Sequence, residues 1–373
     1  SMRAVVSANL AWNLCSRKNL FDALKSEGYD VFAVATPDGE EARVSRELGV
    51  EFIPIGTDNK GTNPLKDLAS FLSYARIYRR IKPDVVLHFN GKPCIYGSIA
   101  AKLLGIPRLN TVTGLGSAFD RPGPMQTVVR ALYRVAFSGK RGWVFFQNSD
   151  DRNLFASARI VDPKRTEVVP GSGVDVSRFK PQESQASSGR AVTFLFSSRL
   201  VITKGIREYV EAARLVRETG RPAEFAIIGE SLEHPSFIPH DEIARAEREG
   251  VVRYGGNQAD VISWMRDADC VVLPSYYREG IPRVLLEAAA MGKPLIAADS
   301  VGTREPVRDG VNGYLVPPRD ARALASAMIR VIDAGAEGRA SMGRQSRLVA
   351  EREYSDRLVI ARYIARIQKG TTT

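Results

Sequence analysis

The sequence predicts an α/β protein built from two doubly wound parallel sheets. Three observations carry this expectation. Short β-branched runs alternate with amphipathic stretches along the whole chain, 373 residues exceed one ordinary core, and a polar, small-residue segment divides the chain near its middle. Strands are expected near 3–8, 30–35, 51–55, 84–88, 108–112, 143–147 and 166–169, with helical stretches between them, for example 64–81 and 94–104. In the second half strands fall near 192–197, 224–228, 251–254, 269–273, 294–298 and 313–316. Helices there are expected near 204–219, 258–267, 283–291, 320–333 and 356–369. No internal repeat is present.

The dividing segment, Lys180-Pro181-Gln182-Glu183-Ser184-Gln185-Ala186-Ser187-Ser188-Gly189, has the composition of a linker. The expected organisation is therefore a first domain over 1–175, a linker over 176–189 and a second domain over 190–355. The last helix, about 356–369, is expected to pack back on the first domain. Ligands of such sheets bind beyond the carboxyl ends of the strands, so the active site is expected in the cleft between the domains.

Composition is that of a soluble globular chain, with 44% apolar and 25% charged residues and a mean hydropathy of −0.17. No uncharged apolar stretch reaches the eighteen or so residues needed to cross a bilayer. The run Arg3-Ala4-Val5-Val6-Ser7-Ala8 reads as a first strand, too short for the apolar region of a signal peptide. Cys15, Cys94 and Cys270 are scattered, giving neither a disulfide framework nor metal spacing, and point to a reducing cytoplasm. Net charge is +11, and residues 1–170 carry most of it, with 24 Lys and Arg against 16 Asp and Glu. Such an excess suits nucleic acid, an anionic membrane or phosphorylated ligands.

Local pattern narrows the choice. Glu279 and Glu287 lie eight positions apart around a junction that follows the strand-like run Cys270-Val271-Val272-Leu273-Pro274. Gly280 and Pro282 keep Glu279 off the helix, which is expected to start near Arg283. Helical side chains lean back toward the N-terminus, so Glu287 one turn in can face the same space as Glu279. That space lies over free backbone N–H groups, which favour anions. A ligand bearing phosphate and neighbouring hydroxyls fits it, and nucleotide-sugars have that shape. The plainer alternative is a helix whose first turn uses Glu to satisfy its dipole. Arg199 and Lys204 follow the strand Phe194-Leu195-Phe196 at its carboxyl end. Two cations there make a diphosphate site, each charge-assisted bond worth roughly 1.5–3 kcal/mol; alone, they would read as solvated surface charges.

Arg199 to Lys204, Glu279-Gly280-Ile281-Pro282 with Glu287, Gly302-Thr303-Arg304-Glu305 and Asp309-Gly310-Val311-Asn312-Gly313 together resemble family 4 of the retaining glycosyltransferases. Pro170-Gly171-Ser172-Gly173-Val174-Asp175 before Phe179 resembles the interdomain signature of that family. The resemblance spans nearly the full chain and is strongest in the second half. It implies the GT-B fold, two Rossmann-like domains with an interdomain cleft. It also implies that Arg199 and Lys204 hold the donor diphosphate, Glu287 the ribose hydroxyls, and Glu279 the hydroxyls of the transferred sugar. Backbone groups from Gly280 through Ile281 and Pro282 to Arg283 would cover the distal phosphate, and Tyr254-Gly255-Gly256-Asn257 would meet the base. Arg283 departs from the small or apolar residue expected there, and stands open between a phosphate or acceptor contact and a solvated helix start.

In the first half, Asn110-Thr111-Val112-Thr113-Gly114-Leu115-Gly116-Ser117-Ala118-Phe119 follows a strand; Gly114 and Gly116 permit positive φ and close backbone approach, which the resemblance places at the donor, with a plain tight turn as the alternative. This context, with Lys92 to Lys102, resembles the bacterial branch acting on sugars attached to polyprenyl diphosphate, such as N-acetylgalactosaminyltransferases. Many members carry a His near Thr113, where this chain has Gly-Leu-Gly. His88, His234 and His240 are expected to be surface or packing residues. Residues 121–141 contain Arg121, Arg130, Arg134, Lys140 and Arg141 with no acid, and Met125, Val128, Val129, Leu132, Val135 and Ala136 at helical spacing. A basic amphipathic helix lies on an anionic membrane surface; a core-packed helix with a solvated face is the alternative.

Asp267-Ala268-Asp269 matches a metal motif of the other major glycosyltransferase fold, but it precedes a buried-looking strand and has no further ligand at useful spacing, so no metal and no cofactor is expected. No Gly-x-x-x-x-Gly-Lys or Gly-x-Gly-x-x-Gly motif occurs, which removes ATPase and dehydrogenase readings. The expected function is retaining, metal-independent transfer of a sugar, an N-acetylhexosamine, from a UDP-sugar to a polyprenyl-diphosphate-linked sugar. The expected place is the cytoplasmic face of the membrane, peripherally bound, in bacterial glycan assembly, with no nucleic acid as partner. The rivals are a nucleotide-sugar 2-epimerase of the same fold and a non-catalytic nucleotide-sugar binder.

Overall fold

Seven parallel strands form the first sheet and six the second. We describe a computed structural model covering residues 1–56, 63–116, 119, 121–183 and 191–370. Ser117, Ala118 and residues 184–189 of the expected linker lie outside the described residues. The chain forms two units, Ser1–Ser172 with Arg357–Thr373, and Gly173–Asp356.

In the first unit β1 (Met2–Leu10), α1 (Trp12–Cys15), α2 (Lys18–Ser26), β2 (Tyr29–Thr36), α3 (Glu41–Leu48), β3 (Glu51–Pro54) and α4 (Pro64–Ile81) precede β4 (Val85–Phe89). A π-helical turn, Pro93–Gly97, leads into α5 (Ser98–Leu103), followed by β5 (Arg108–Val112), α6 (Pro124–Phe137), β6 (Gly142–Phe146), α7 (Ser149–Ser157) and β7 (Thr166–Val168). The sheet order is β3-β2-β1-β4-β5-β6-β7. Alternate residues of the strands face opposite layers. Val5, Val34, Val86 and Val144 are buried toward α4 to α7, whereas Ala4, Val6, Ala33, Leu87 and Phe145 are buried on the other face.

The second unit runs β8 (Val192–Ser197), α8 (Ile206–Glu218), β9 (Ala223–Ile228), α9 (His240–Arg248), β10 (Arg253–Tyr254), α10 (Val261–Asp267), β11 (Cys270–Leu273), α11 (Arg283–Ala290), β12 (Leu295–Ala298), β13 (Gly313–Val316), α12 (Ala321–Asp333) and α13 (Gly335–Val349). Its order is β10-β9-β8-β11-β12-β13, all parallel, as in a dinucleotide-binding sheet. Helix α8 shows why these elements stack: Ile206, Tyr209, Ala212, Ala213 and Val216 recur at helical spacing and are all buried. The Tyr209 hydroxyl is satisfied by the Phe194 and Ala226 carbonyls, at 3.0 and 2.9 Å.

The second unit begins at Gly173, ahead of the segment 176–189. Val174 and Phe179 are buried in its core, so the chain is already anchored there before the polar stretch starts. Helix α14 (Asp356–Lys369) packs with the first unit. Its Tyr363 stacks edge-on against Phe89 and Phe145 and hydrogen-bonds Thr111 at 3.0 Å.

Candidate active site

Strands β8 and β11 are neighbours with their onward connections running to opposite sides, which makes their carboxyl ends the topological switch point of the second sheet. The loop after β8 carries Arg199 and Lys204; the loop after β11 carries Ser275 to Pro282. The two loops are tied by main chain, because the N–H groups of Tyr276 and Tyr277 both donate to the Thr203 carbonyl, at 3.0 and 3.2 Å.

At the centre the Lys204 ammonium bonds Oε1 of Glu279, and the two side chains are only 18% and 9% exposed. The Ser275 hydroxyl donates to the same oxygen at 2.9 Å, and the Tyr277 ring centroid lies 5.8 Å from the ammonium. Lys204 is thus not the free cation that its position in the sequence suggested. It is neutralised by the carboxylate expected to bind sugar, and a diphosphate would have to share it.

Two glycines fix this pair. Gly205, at φ +83°, lets the turn after Lys204 cross the β11 loop; a Cβ there would sit 2.2 Å from the Pro274 carbonyl oxygen. Gly302, at φ +81°, lies under the Glu279 peptide, and a Cβ there would sit 2.3 Å from the Glu279 oxygen and 2.2 Å from that of Gly280. Both positions combine left-handed backbone with close approach, so only glycine fits. Ile281, 7% exposed, anchors the loop in the core, and Pro282 holds extended backbone (φ −63°, ψ 124°) before α11 starts at Arg283.

Glu287 lies one turn into α11. Burial pushes its carboxyl up to about 7, against the opposing pull of Arg283 and Arg178. Arg283 is itself held below its usual range by burial, with Glu287 pulling the other way. It therefore acts as a half-buried partner of Glu287 rather than as a freely solvated helix start. Arg199 is exposed at the carboxyl end of β8 and forms no ion pair among the described residues. The Tyr254 hydroxyl donates to the Gly229 carbonyl at 2.6 Å and Gly255 N–H to the Ile227 carbonyl at 2.8 Å, which shapes the loop expected to meet the base.

In the first unit Gly114 and Gly116 (φ 156° and 67°) flank buried Leu115 just beyond β5. Asn90, at φ 74°, donates to the Thr113 hydroxyl at 3.0 Å. His88 is fully buried, 2.6 Å from the Tyr78 hydroxyl and 2.8 Å from Oδ1 of Asn110. Burial drives its pKa down to about 3, so it is a neutral packing residue.

The basic segment 121–141 is only partly a helix. Helix α6 ends at Phe137, so Lys140 and Arg141 lie in the turn before β6 and Arg121 precedes the helix. Its apolar side is divided between the core and solvent. Tyr133, Ala136 and Phe137 are buried, while Met125, Val128 and Val135 are about half exposed, at 51, 56 and 49%. Arg130 packs over the Phe119 ring and Arg134 donates to the Ala158 carbonyl. Arg141 donates to the Gly105 carbonyl. Asp267 bonds Arg266, and Asp269 accepts from Thr193 N–H at 2.8 Å; among the described residues no group of His, Cys, Asp and Glu is arranged to hold a metal ion.

Sequence reasoning passed over Ser275, which sits at the carboxyl end of β11 as a strand-end hydroxyl, and Arg178, which bears on Glu287 from 109 residues upstream. Strand-end placement was a usable signal for the first; nothing local marked the second.

The same fold recurs in solved structures. Anabaena Alr3699/HepE, in complex with UDP and glucose, superposes with a TM-score of 0.80 at 20% identity over 99% of this chain and all of that one. A glycosyltransferase from Rickettsia africae ESF-5 gives 0.78 at 19% identity, covering 98% of this chain and 97% of that chain. Two parallel doubly wound sheets of this kind define the GT-B fold. The family described as "Glycosyl transferases group 1" matches residues 191–334, and "Glycosyl transferase 4-like" matches residues 5–148. Together they span most of the chain, which belongs to glycosyltransferase family 4. Among curated relatives it is 26% identical to an N,N'-diacetylbacillosaminyl-diphospho-undecaprenol alpha-1,3-N-acetylgalactosaminyltransferase of Campylobacter jejuni, over 83% of both chains. It is 25% identical to a UDP-Gal:alpha-D-GlcNAc-diphosphoundecaprenol alpha-1,3-galactosyltransferase of Escherichia coli, over 84% of this chain and 82% of that protein.

Proposed function

We propose that this glycosyltransferase moves an N-acetylhexosamine or a hexose from a UDP-sugar to a sugar carried on polyprenyl diphosphate, with retention at the anomeric carbon and without a metal. The observation that carries the reading is the Lys204–Glu279 pair at the switch point, beneath the N-terminus of α11. Two relatives acting on undecaprenyl-diphosphate-linked sugars, each matched over more than four-fifths of its length, support the acceptor class.

In this reading Lys204 and Arg199 bind the donor diphosphate, and backbone N–H groups of Gly280, Ile281 and Arg283 cap its distal phosphate. Glu279 turns its carboxylate to hydroxyls of the sugar and Glu287 to the ribose. The bond from the anomeric carbon to the phosphate oxygen breaks as the acceptor hydroxyl oxygen bonds that carbon from the same face. UDP leaves with the bonding electrons, and the hydroxyl proton passes to the departing phosphate oxygen. Cations and N–H dipoles already in place stabilise the charge that grows on UDP, which lowers the barrier.

The acceptor is membrane-bound, and the reading sets the enzyme peripherally on the inner face of the cytoplasmic membrane. No helix among the described residues is long and apolar enough to cross a bilayer. Instead α6 offers exposed Met125, Val128 and Val135 beside Arg121, Arg130, Arg134, Lys140 and Arg141, and each cation near an anionic surface adds about 1 kcal/mol. The test is to supply a panel of UDP-sugars with and without polyprenyl-diphosphate sugars and identify products by mass and anomeric configuration by NMR. A lipid-linked product with the donor's configuration is expected. An altered nucleotide-sugar formed without acceptor would mark an epimerase, and an inverted linkage would remove the proposed mechanism.

A further inference from the structure

The amino-terminal pole of the first sheet, at the opposite strand ends from Gly114 and Gly116, contains a cavity of about 570 Å³ between the end of α6 and the turns before β6 and β7. Arg134, Lys140, Arg159 and Arg165 line it around Phe137 and Ile160. Among the described residues Arg134, Lys140 and Arg159 form no ion pair. The one acid on the wall, Asp162, turns an oxygen to the Lys164 N–H at 3.0 Å.

Behind this wall lies Arg108, 1% exposed. Its guanidinium donates to the carbonyls of Ala136 at 3.2 Å, Ser138 at 2.7 Å and Lys140 at 3.3 Å, and to no carboxylate among the described residues. Carbonyl dipoles satisfy its N–H groups but carry no net charge, so a buried positive charge stands uncompensated. Arg159 occupies a left-handed position (φ 53°) after α7, where glycine is the least strained residue.

Four cations over an apolar floor, backed by a buried arginine, select a compact anion of high charge density. The surroundings select its source. Val135 and Val128 of α6 are exposed on the approach, and Lys102 bonds the Val135 carbonyl at 3.2 Å beside Leu103, which is 71% exposed. A freely dissolved anion needs no apolar rim; an anion at the top of acyl chains does.

We propose that this cavity seats the phosphodiester headgroup of an anionic lipid, held by Arg134, Lys140 and Arg159. The proposal rests on the membrane-facing reading of α6 given above and adds a specific seat to it.

The test floats the full chain, Arg159→Gly and Arg121→Gln on vesicles containing phosphatidylglycerol, and on vesicles matched in charge with a carboxylate-headed lipid. Wild type is expected to prefer the phosphodiester. Arg159→Gly should bind phosphatidylglycerol about tenfold more weakly, the loss of one charge-assisted bond, and lose that preference. Its Tm should not fall, because glycine adopts the left-handed backbone. Arg121→Gln should weaken both vesicle types alike, by about fivefold or less. Equal losses for the two variants on both lipids would overturn the seat and leave the membrane reading standing. No flotation on either lipid would sink both. A rise in wild-type Tm with inorganic phosphate, absent in Arg159→Gly and without lipid preference, would assign the cavity to a soluble anion and overturn the lipid.

Discussion

Positive charge is handled in opposite ways at the carboxyl edge of the second sheet and at the amino-terminal pole of the first. In the second unit Lys204 is nearly enclosed and carries its own counter-charge, Glu279, on the same spot. In the first unit Arg134, Lys140 and Arg159 stand around a cavity with no carboxylate partner among the described residues, over a buried Arg108 that likewise has none there. The contrast teaches what each place selects. A paired site rewards a ligand that offers phosphate to the cation and hydroxyls to the anion at once. An unpaired one rewards charge alone.

The largest effect should come from breaking the pair. Lys204→Met leaves Glu279 buried without its cation, and we expect stability to fall by about 3 kcal/mol and transfer by about 10²–10³-fold. Adding Glu279→Gln should recover most of the stability and none of the transfer, as read by denaturant unfolding and product formation. Recovery of activity in the double variant would show that the pair is structural only.

Gly302→Ala comes next. Its Cβ would collide with two carbonyl oxygens under Glu279 in a backbone region alanine avoids, so about 2–4 kcal/mol of stability should be lost, with turnover falling alongside. Unchanged unfolding would mean that the loop simply moves aside.

The pH dependence of Glu287 sharpens the comparison further. Its folded pKa, about 7, lies above the ordinary value near 4.3. The folded state therefore binds the proton more tightly, and the stability this contributes is complete below about pH 4 and lost as pH rises through 7. Glu287→Gln should be more stable than wild type at pH 8 by up to about 3 kcal/mol, with the gap closing by about pH 4. In the proposed reading ribose hydroxyls donate to the ionised form, which predicts that UDP-glucose binds wild type more tightly at pH 8 than at pH 6. Calorimetry showing the reverse would remove Glu287 from the ribose.

The smallest effect is expected at Asp267, which bonds Arg266 at the surface. Asp267→Asn should change stability by about 0.5 kcal/mol or less and leave turnover the same with and without a chelator. Loss of metal-stimulated turnover in that variant would reinstate the metal motif.

Much of this architecture was legible before the structure. The parallel strands are short buried runs such as Cys270-Val271-Val272-Leu273, and such runs announce themselves by composition. Glu279 could be placed on a loop because Gly280 and Pro282 exclude it from the helix. Contacts made at long range were not legible. The bond between Lys204 and Glu279 spans 75 residues, and nothing near either residue marks the other as partner. Arg108 read as part of a strand, and only the fold turns its side chain under the end of α6. Lys140 and Arg141 looked like part of the basic helix because the acid-free basic run continues through them, although Gly139 follows Phe137 by two residues. The break is made at Gly139 (φ 83°) and Arg141 (φ 63°), where the chain must turn into β6.

The two glycines beneath the donor loops set the tolerance of this enzyme to redesign. Because Gly205 presses the β8 loop on Pro274, and Gly302 presses the β12 loop on the carbonyls of Glu279 and Gly280, neither seam has room for a Cβ. A library aimed at a new donor would therefore gain little from those seams. Its variation belongs on residues that top the loops, such as Tyr277 and Arg278, where atoms can change without prising the frame apart.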